Sequence, residues 1–215
     1  TGDFMRPLTS LLLLLLVVAG TAQSASSVDL SISATTHPAA CDIRLENGGH
    51  VDYGVLQRSD LNADSSRETL LPARNLGWSI SCGYAVPVGL QWTDNHAAYG
   101  SLPVGTQYFS MGKDGRGAPI GSLEILYGDA TVADGQTVSA ISRQTGGTTW
   151  IPNLTGIVDN RFVLAFAAPG TGTLGAFASY SGQLLLSTRI APLDTLDQTR
   201  VIQLDASATV EIIYL

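Results

Sequence analysis

Apolar and polar residues alternate with a period of two along most of the chain after residue 26. Such alternation is typical of β-strands that have one buried face. No window of a dozen residues carries the 3.6-residue apolar repeat of an amphipathic helix. The clearest strand candidates are 51–55, 76–82, 86–92, 120–127, 161–167, 183–188 and 208–215.

Turn-forming residues separate these candidate strands, and no internal repeat, charge block or long linker interrupts them. Several short strands at this spacing predict an antiparallel sandwich or barrel. We therefore expect one all-β domain over residues 37–215. The strongest turn signals are Asn47-Gly48-Gly49, Lys113-Asp114-Gly115, Asp134-Gly135 and Gly146-Gly147.

The first 25 residues have the three parts of a secretory signal peptide. A basic start at Met5-Arg6-Pro7 precedes an unbroken apolar run from Leu11 to Leu16, and small residues follow around Ala22–Ala25. Residues 1–4 stand ahead of this pattern and are interpreted as an upstream remnant. The sequence therefore predicts export of the protein.

Charge and cysteine content agree with an exported protein. Charged residues make up 13 % of the chain and the net charge is −7, which argues against nucleic-acid binding through phosphates. In an oxidising compartment the isolated pair Cys41 and Cys82 predicts one disulfide. The three histidines are scattered and no metal-ligand spacing occurs, so we expect no metal site.

The alternating segment at residues 26–36 has two possible interpretations. In residues 26–36 the side chains that share one face of the strand are apolar, and those on the other face are polar. This segment is either the first strand of the domain's own sheet or a detached strand that pairs with another molecule. The apolar face consists of Val28, Leu30, Ile32 and Ala34.

The order of these features resembles the pilin subunits of chaperone–usher fimbriae of Gram-negative bacteria, nearest a little-characterised beta-fimbrial branch. The resemblance covers essentially the whole chain after the signal peptide. One departure is the absence of the glycine that pilins carry some fourteen residues from the end, where this chain reads Thr199-Arg200-Val201-Ile202. The motifs that carry the resemblance are the strand Val28–Ala34, Pro38-Ala39-Ala40-Cys41, Val51-Asp52-Tyr53-Gly54, the strand Leu76–Cys82 and the final strand Val210–Leu215.

This resemblance implies an immunoglobulin-like sandwich that lacks its last strand and is completed by donor-strand exchange. Residues 26–36 would then be the donor extension, with Val28, Leu30, Ile32 and Ala34 as the donor side chains. The acceptor groove would have Val210, Ile212 and Tyr214 in one wall, and Cys41–Cys82 would be the disulfide. The implied partners are a periplasmic chaperone, an outer-membrane usher and neighbouring subunits, and the implied location is a fimbria on the cell surface.

Other functions have less support from the sequence. Gly170-Thr171-Gly172-Thr173-Leu174-Gly175 matches a dinucleotide-binding motif, but no helix follows it. We identify no catalytic residues and expect no cofactor, although separated carboxylates leave a glycoside-active enzyme as a third hypothesis. The second hypothesis is a self-complete sandwich that binds carbohydrate as a monomer, because Trp150 and Tyr108 could offer aromatic faces to sugars.

Overall fold

The computed structural model describes residues 41–215, and this part of the chain is all-β, with short 3-10 turns and no α-helix. The predicted signal peptide and the predicted extension 26–36, with Val28, Leu30, Ile32 and Ala34, lie outside the described residues. From Cys41 onward, no helix has the length and apolar character needed to cross a membrane. The strands are β1 (Cys41–Leu45), β2 (Thr69–Leu70), β3 (Arg74–Val86), β4 (Val88–Asp94), β5 (Tyr108–Ser110), β6 (Gly121–Tyr127), β7 (Val132–Ala133), β8 (Gln136–Thr137), β9 (Ala140–Gln144), β10 (Ile151–Pro152), β11 (Phe162–Phe166), β12 (Phe177–Ile190) and β13 (Ala208–Tyr214).

The strands form two antiparallel sheets. The first has the order β1-β3-β12-β6-β5, with β2 and β7 also paired to β12 and β8 paired to β7. The second has the order β10-β9-β11-β4-β13. Both sheets contribute to a single main core, an arrangement consistent with a β-sandwich. The prediction of an all-β antiparallel fold is therefore confirmed.

Alternation along the strands builds the core. On β3, Leu76, Trp78 and Ile80 are buried while the residues between them are less so, and β4 places Leu90 and Trp92 against them. Trp78 and Trp92 are each 4 % exposed, so both side chains belong to the core and neither offers a binding surface.

Aromatic rings occupy the centre of this core. The Trp78 ring stacks on Phe166 at 5.6 Å between centroids and meets the edge of Tyr127 at 5.0 Å. The Tyr127 hydroxyl accepts a hydrogen bond of 3.1 Å from Trp92 Nε1. Burial raises the pKa of the Tyr127 hydroxyl, because the charged form would be poorly solvated there.

The predicted disulfide between Cys41 and Cys82 is present. The two cysteines are direct partners in the β1–β3 ladder, so the covalent bond reinforces the first pair of that ladder. It fixes the start of β1, which lies at the edge of the first sheet.

The predicted Asp134-Gly135 turn connects β7 and β8. Both residues have positive φ, 47° and 79°, as a tight hairpin turn requires. The Asp134 carboxylate accepts hydrogen bonds from the backbone N–H groups of Ala178 and Ser179. These bonds, the one from Ala178 foremost, lower the pKa of the Asp134 carboxyl.

One predicted strand is wrong. Residues 51–55 alternate in sequence but form no ladder with any strand in the described part of the chain. The chain leaves the β1 ladder through a turn in which Asn47, Gly48 and Gly49 all have positive φ. After this turn the segment runs beside a cavity instead of beside another strand.

Candidate functional site

Strand β13 lies at the edge of the second sheet. It pairs along its whole length with β4, from Ala208 opposite Asp94 to Tyr214 opposite Val88. Its other edge has no strand partner within residues 41–215. An edge of this kind presents unpaired N–H and C=O groups to which a further strand can bind.

The apolar side chains of β13 face the core without being fully covered. Val210 and Ile212 pack against the main core but remain half-buried, while Glu211 between them is exposed. Both residues were predicted to line one wall of a groove, and the structure places them on the inner face of this edge strand. Ile43 and Leu45 of β1 also contact the core and are half-buried.

Tyr214, the third predicted residue of β13, connects the two sheets. Its hydroxyl accepts a hydrogen bond of 2.9 Å from the backbone N–H of Cys41. The end of β13 therefore lies at the start of β1, although 173 residues separate them in sequence. The side chain itself is 51 % exposed.

A cavity of about 650 Å³ lies at the other end of β13. Residues 49–56 form one wall, and residues 201–206, which lead into β13, form the opposite wall. Val55 and Val201 line it with exposures of 84 % and 96 %, which is unusual for residues of this type. The floor consists of Met111, Leu123, Leu186 and Thr188.

We call the cavity between residues 49–56 and 201–206, together with the half-buried inner faces of β1 and β13 that adjoin its walls along the chain, the open groove. Because the start of β1 meets the end of β13, the two walls run in opposite directions. Residues from both walls pack against a small second core of Leu71, Ile190, Ala191 and Leu196, namely Tyr53 and Leu56 from one wall and Ile202 and Leu204 from the other. Residues 49–56 and 201–206 contribute no strand to the described sheets.

The loop before β13 is held in place by polar contacts. The backbone N–H of Asn95 donates to the Ser207 carbonyl, and His96 Nδ1 lies 2.8 Å from the Asp205 carbonyl. Asn95 and His96 therefore hold residues 205–207, which lead into β13, in position. No pattern in the sequence predicts this contact, because the two partners are more than 100 residues apart in the chain.

A second cavity, of about 330 Å³, is lined by residues from β6, β9 and the loops around positions 154 and 171. Trp150 and Tyr108, on which the sugar-binding hypothesis depends, do not line this cavity. Trp150 is half-buried and packs under the Arg143 guanidinium at 5.0 Å, and Tyr108 is half-buried on β5. Residues 41–215 contain no group of three or more His, Cys, Asp or Glu side chains arranged to hold a metal ion.

Comparison with known proteins gives a family. The family model described as "Protein of unknown function (DUF1120)" matches residues 30–142, just over half of the chain. The chain belongs to the DUF1120 family. The DUF1120 match includes both cysteines of the disulfide and stops before β13. The chain is also similar to "Uncharacterized protein YhcF" of Escherichia coli (strain K12), at 26 % identity over 227 residues, covering 90 % of this chain and 93 % of that protein.

Proposed function

We propose that this DUF1120 protein is a structural subunit of a cell-surface fimbria that is assembled by the chaperone–usher pathway. The open groove would accept a β-strand from a neighbouring molecule, and the extension 26–36 would be the strand that each subunit donates. The proposed role of the fibre is in adhesion or biofilm formation.

The observation that carries this proposal is the state of β13. Its inner-face side chains Val210 and Ile212 lie over the core but stay half-buried, and its free edge lacks a strand partner in residues 41–215. A strand added at this edge would gain main-chain hydrogen bonds and would cover those side chains. Until it is covered, such an edge favours aggregation, so a periplasmic chaperone is the expected first partner.

The donor extension has the chemistry that the groove requires. Four apolar side chains on one face, Val28, Leu30, Ile32 and Ala34, would enter the groove while the polar face stays in water. At about 25 cal/mol per Å² of apolar surface, their burial contributes several kcal/mol before ordering costs. The disulfide supports an oxidising compartment such as the periplasm, through which the subunit would pass.

The proposal is tested with mature protein that lacks the residues up to Thr36, mixed with a synthetic peptide of residues 26–36. We expect tight binding and a large rise in the thermal midpoint. An Ile32→Asp peptide should bind weakly, because the charge would enter the apolar groove. On the protein, Ile212→Asp should abolish binding, whereas Glu211→Ala on the exposed face of the same strand should not.

The opposite result would contradict this proposal and favour a different function. A truncated protein that is already stable and that ignores the peptide would have no open groove. The self-complete sandwich that binds carbohydrate as a monomer would then be the better hypothesis.

A further inference from the structure

The second cavity, of about 330 Å³, is separate from the open groove. Its walls come from the end of β6, from β9 and from the loops that follow β10 and β11. The two cavities share no lining residue in the described part of the chain. A volume of this size lies at the lower end of the range for small-molecule sites. The second cavity therefore needs an occupant of its own, different from the strand proposed for the groove.

Hydrogen bonds hold the loops around the second cavity in place. The side-chain amide of Asn153 donates to Ser142 Oγ and to the Ile157 carbonyl, both at 2.9 Å. On another wall, the Thr171 hydroxyl donates to the Ala168 carbonyl at 2.8 Å. Sites for small molecules are usually formed before the ligand binds. These fixed loops give the cavity that property.

Four polar groups at this cavity make no hydrogen bond with residues 41–215. They are the Asp129 carboxylate, the Ser139 hydroxyl and the backbone N–H groups of Leu154 and Gly172. Gly172 belongs to the glycine-rich segment 170–175, which is followed by β12 and not by the helix that a phosphate site requires. The cavity therefore offers both donors and acceptors to a ligand.

The charge and polarity of the lining restrict the class of ligand. Among the described residues that line the cavity, Asp129 alone is charged, so an anionic ligand would be repelled. A cationic ligand would leave the two N–H donors without an acceptor. Apolar side chains line the same space, with Leu154 88 % exposed and Phe166 2 % exposed. A neutral molecule with several hydroxyl groups and an apolar C–H face satisfies all these groups, because a hydroxyl both donates and accepts.

We propose that the second cavity binds one neutral sugar unit of a glycan. The Asp129 carboxylate and the Ser139 hydroxyl would accept hydrogen bonds from sugar hydroxyls. The N–H groups of Leu154 and Gly172 would donate to hydroxyl oxygens, and the Leu154 side chain would cover a C–H face of the ring. This site does not depend on the proposed function. If the chain does polymerise, each subunit of the fibre would carry one such site, and many weak sites would together bind a glycan-covered surface tightly.

Titration of the full mature chain with methyl glycosides, followed by protein NMR, tests the proposal. The neutral probes are the methyl glycosides of galactose, glucose, mannose and N-acetylglucosamine, and methyl glucuronide is the anionic probe. We expect a neutral glycoside to bind with a Kd of about 1 mM, because a single sugar has few atoms. The resonances that shift should belong to the residues that line the cavity. The glucuronide should bind about 10-fold more weakly, because its charge meets the Asp129 carboxylate.

Two variants with matched controls locate the site. Asp129→Ala should weaken binding about 10-fold or more through the loss of a charged acceptor. Its control is Asp194→Ala, an exposed carboxylate that also lacks a side-chain hydrogen bond in residues 41–215 and lies outside the cavity. Gly172→Leu adds bulk to the cavity wall where a Cβ meets no atom within 4 Å. Its control is Gly83→Leu, which has equally open surroundings on β3. Thermal unfolding should show that all four variants fold.

Each of the other results would overturn the proposal. If no neutral glycoside shifts the resonances of the lining residues, the cavity is not a sugar site. Binding that survives both Asp129→Ala and Gly172→Leu unchanged would place the sugar elsewhere on the protein. Tighter binding of the glucuronide would contradict the neutral class of ligand. All three results leave the peptide test of the open groove unaffected, since the two cavities have separate walls.

Discussion

The Cys41–Cys82 disulfide offers a prediction whose magnitude follows from the structure. The bond closes a loop with a sequence separation of 41 residues. In the chain-entropy treatment a loop of this size restricts the unfolded state by about 4 kcal/mol at 25 °C. We therefore expect a Cys41→Ala, Cys82→Ala double variant to be less stable by about that amount. For a domain of this size the loss corresponds to a fall of about 8–16 °C in the thermal midpoint.

The assay is thermal unfolding followed by circular dichroism, with and without a reducing agent. Reduction should lower the midpoint of the wild-type protein towards that of the double variant and should leave the variant unchanged. Hydrogen exchange should show the first loss of protection in β1, because within residues 41–215 this edge strand pairs on one side alone, with β3. A double variant whose midpoint falls by less than about 3 °C would refute the reasoning, since the entropic loss would then be absent.

Two further predictions concern turns. Gly156→Ala should lower the free energy of unfolding by roughly 3 kcal/mol in chemical denaturation, because its Cβ would overlap the Tyr127 carbonyl oxygen at a φ of +67°. The control Gly146→Ala has a φ of +79° with open space around it and should lower that free energy by about 1 kcal/mol. Equal losses in the two variants would contradict the steric argument. The lowered pKa of Asp134 means that its stabilising effect is complete above the ordinary value of 3.8 and is lost as pH falls towards the folded-state value. Asp134→Asn should therefore reduce the midpoint at neutral pH and flatten its decline in acid, whereas parallel pH curves for the two proteins would count against this role.

The sequence could predict which side of a strand is buried, but not always that a neighbouring strand exists. Alternation identified the buried faces of β3 and β4, because Trp78 in β3 and Trp92 in β4 each lie two residues from another apolar residue of the same strand. The same alternation in residues 51–55 predicted a strand that forms no ladder. A side-chain pattern records exposure, whereas a ladder needs a second backbone brought close by the rest of the fold.

The candidate site was predictable in part for the same reason. The apolar residues Val210 and Ile212 could be placed on one face of β13 from their spacing alone. The cavity beside residues 201–206 could not, because its walls come from segments about 150 residues apart in the chain. Strands of two residues, such as β7 and β8, are too short to show any period, although the Asp-Gly pair identified their turn.

The position of β12 has a consequence for how the chain folds. This fourteen-residue strand pairs with β2, β3, β6 and β7, and it joins Leu184 to Leu76, 108 residues earlier. The central ladder cannot close until synthesis or refolding has brought both segments together. Sheets dominated by such distant pairings fold in about milliseconds to seconds. During that interval the apolar stripe of β3 is uncovered, so the yield of refolded protein should fall as its concentration rises.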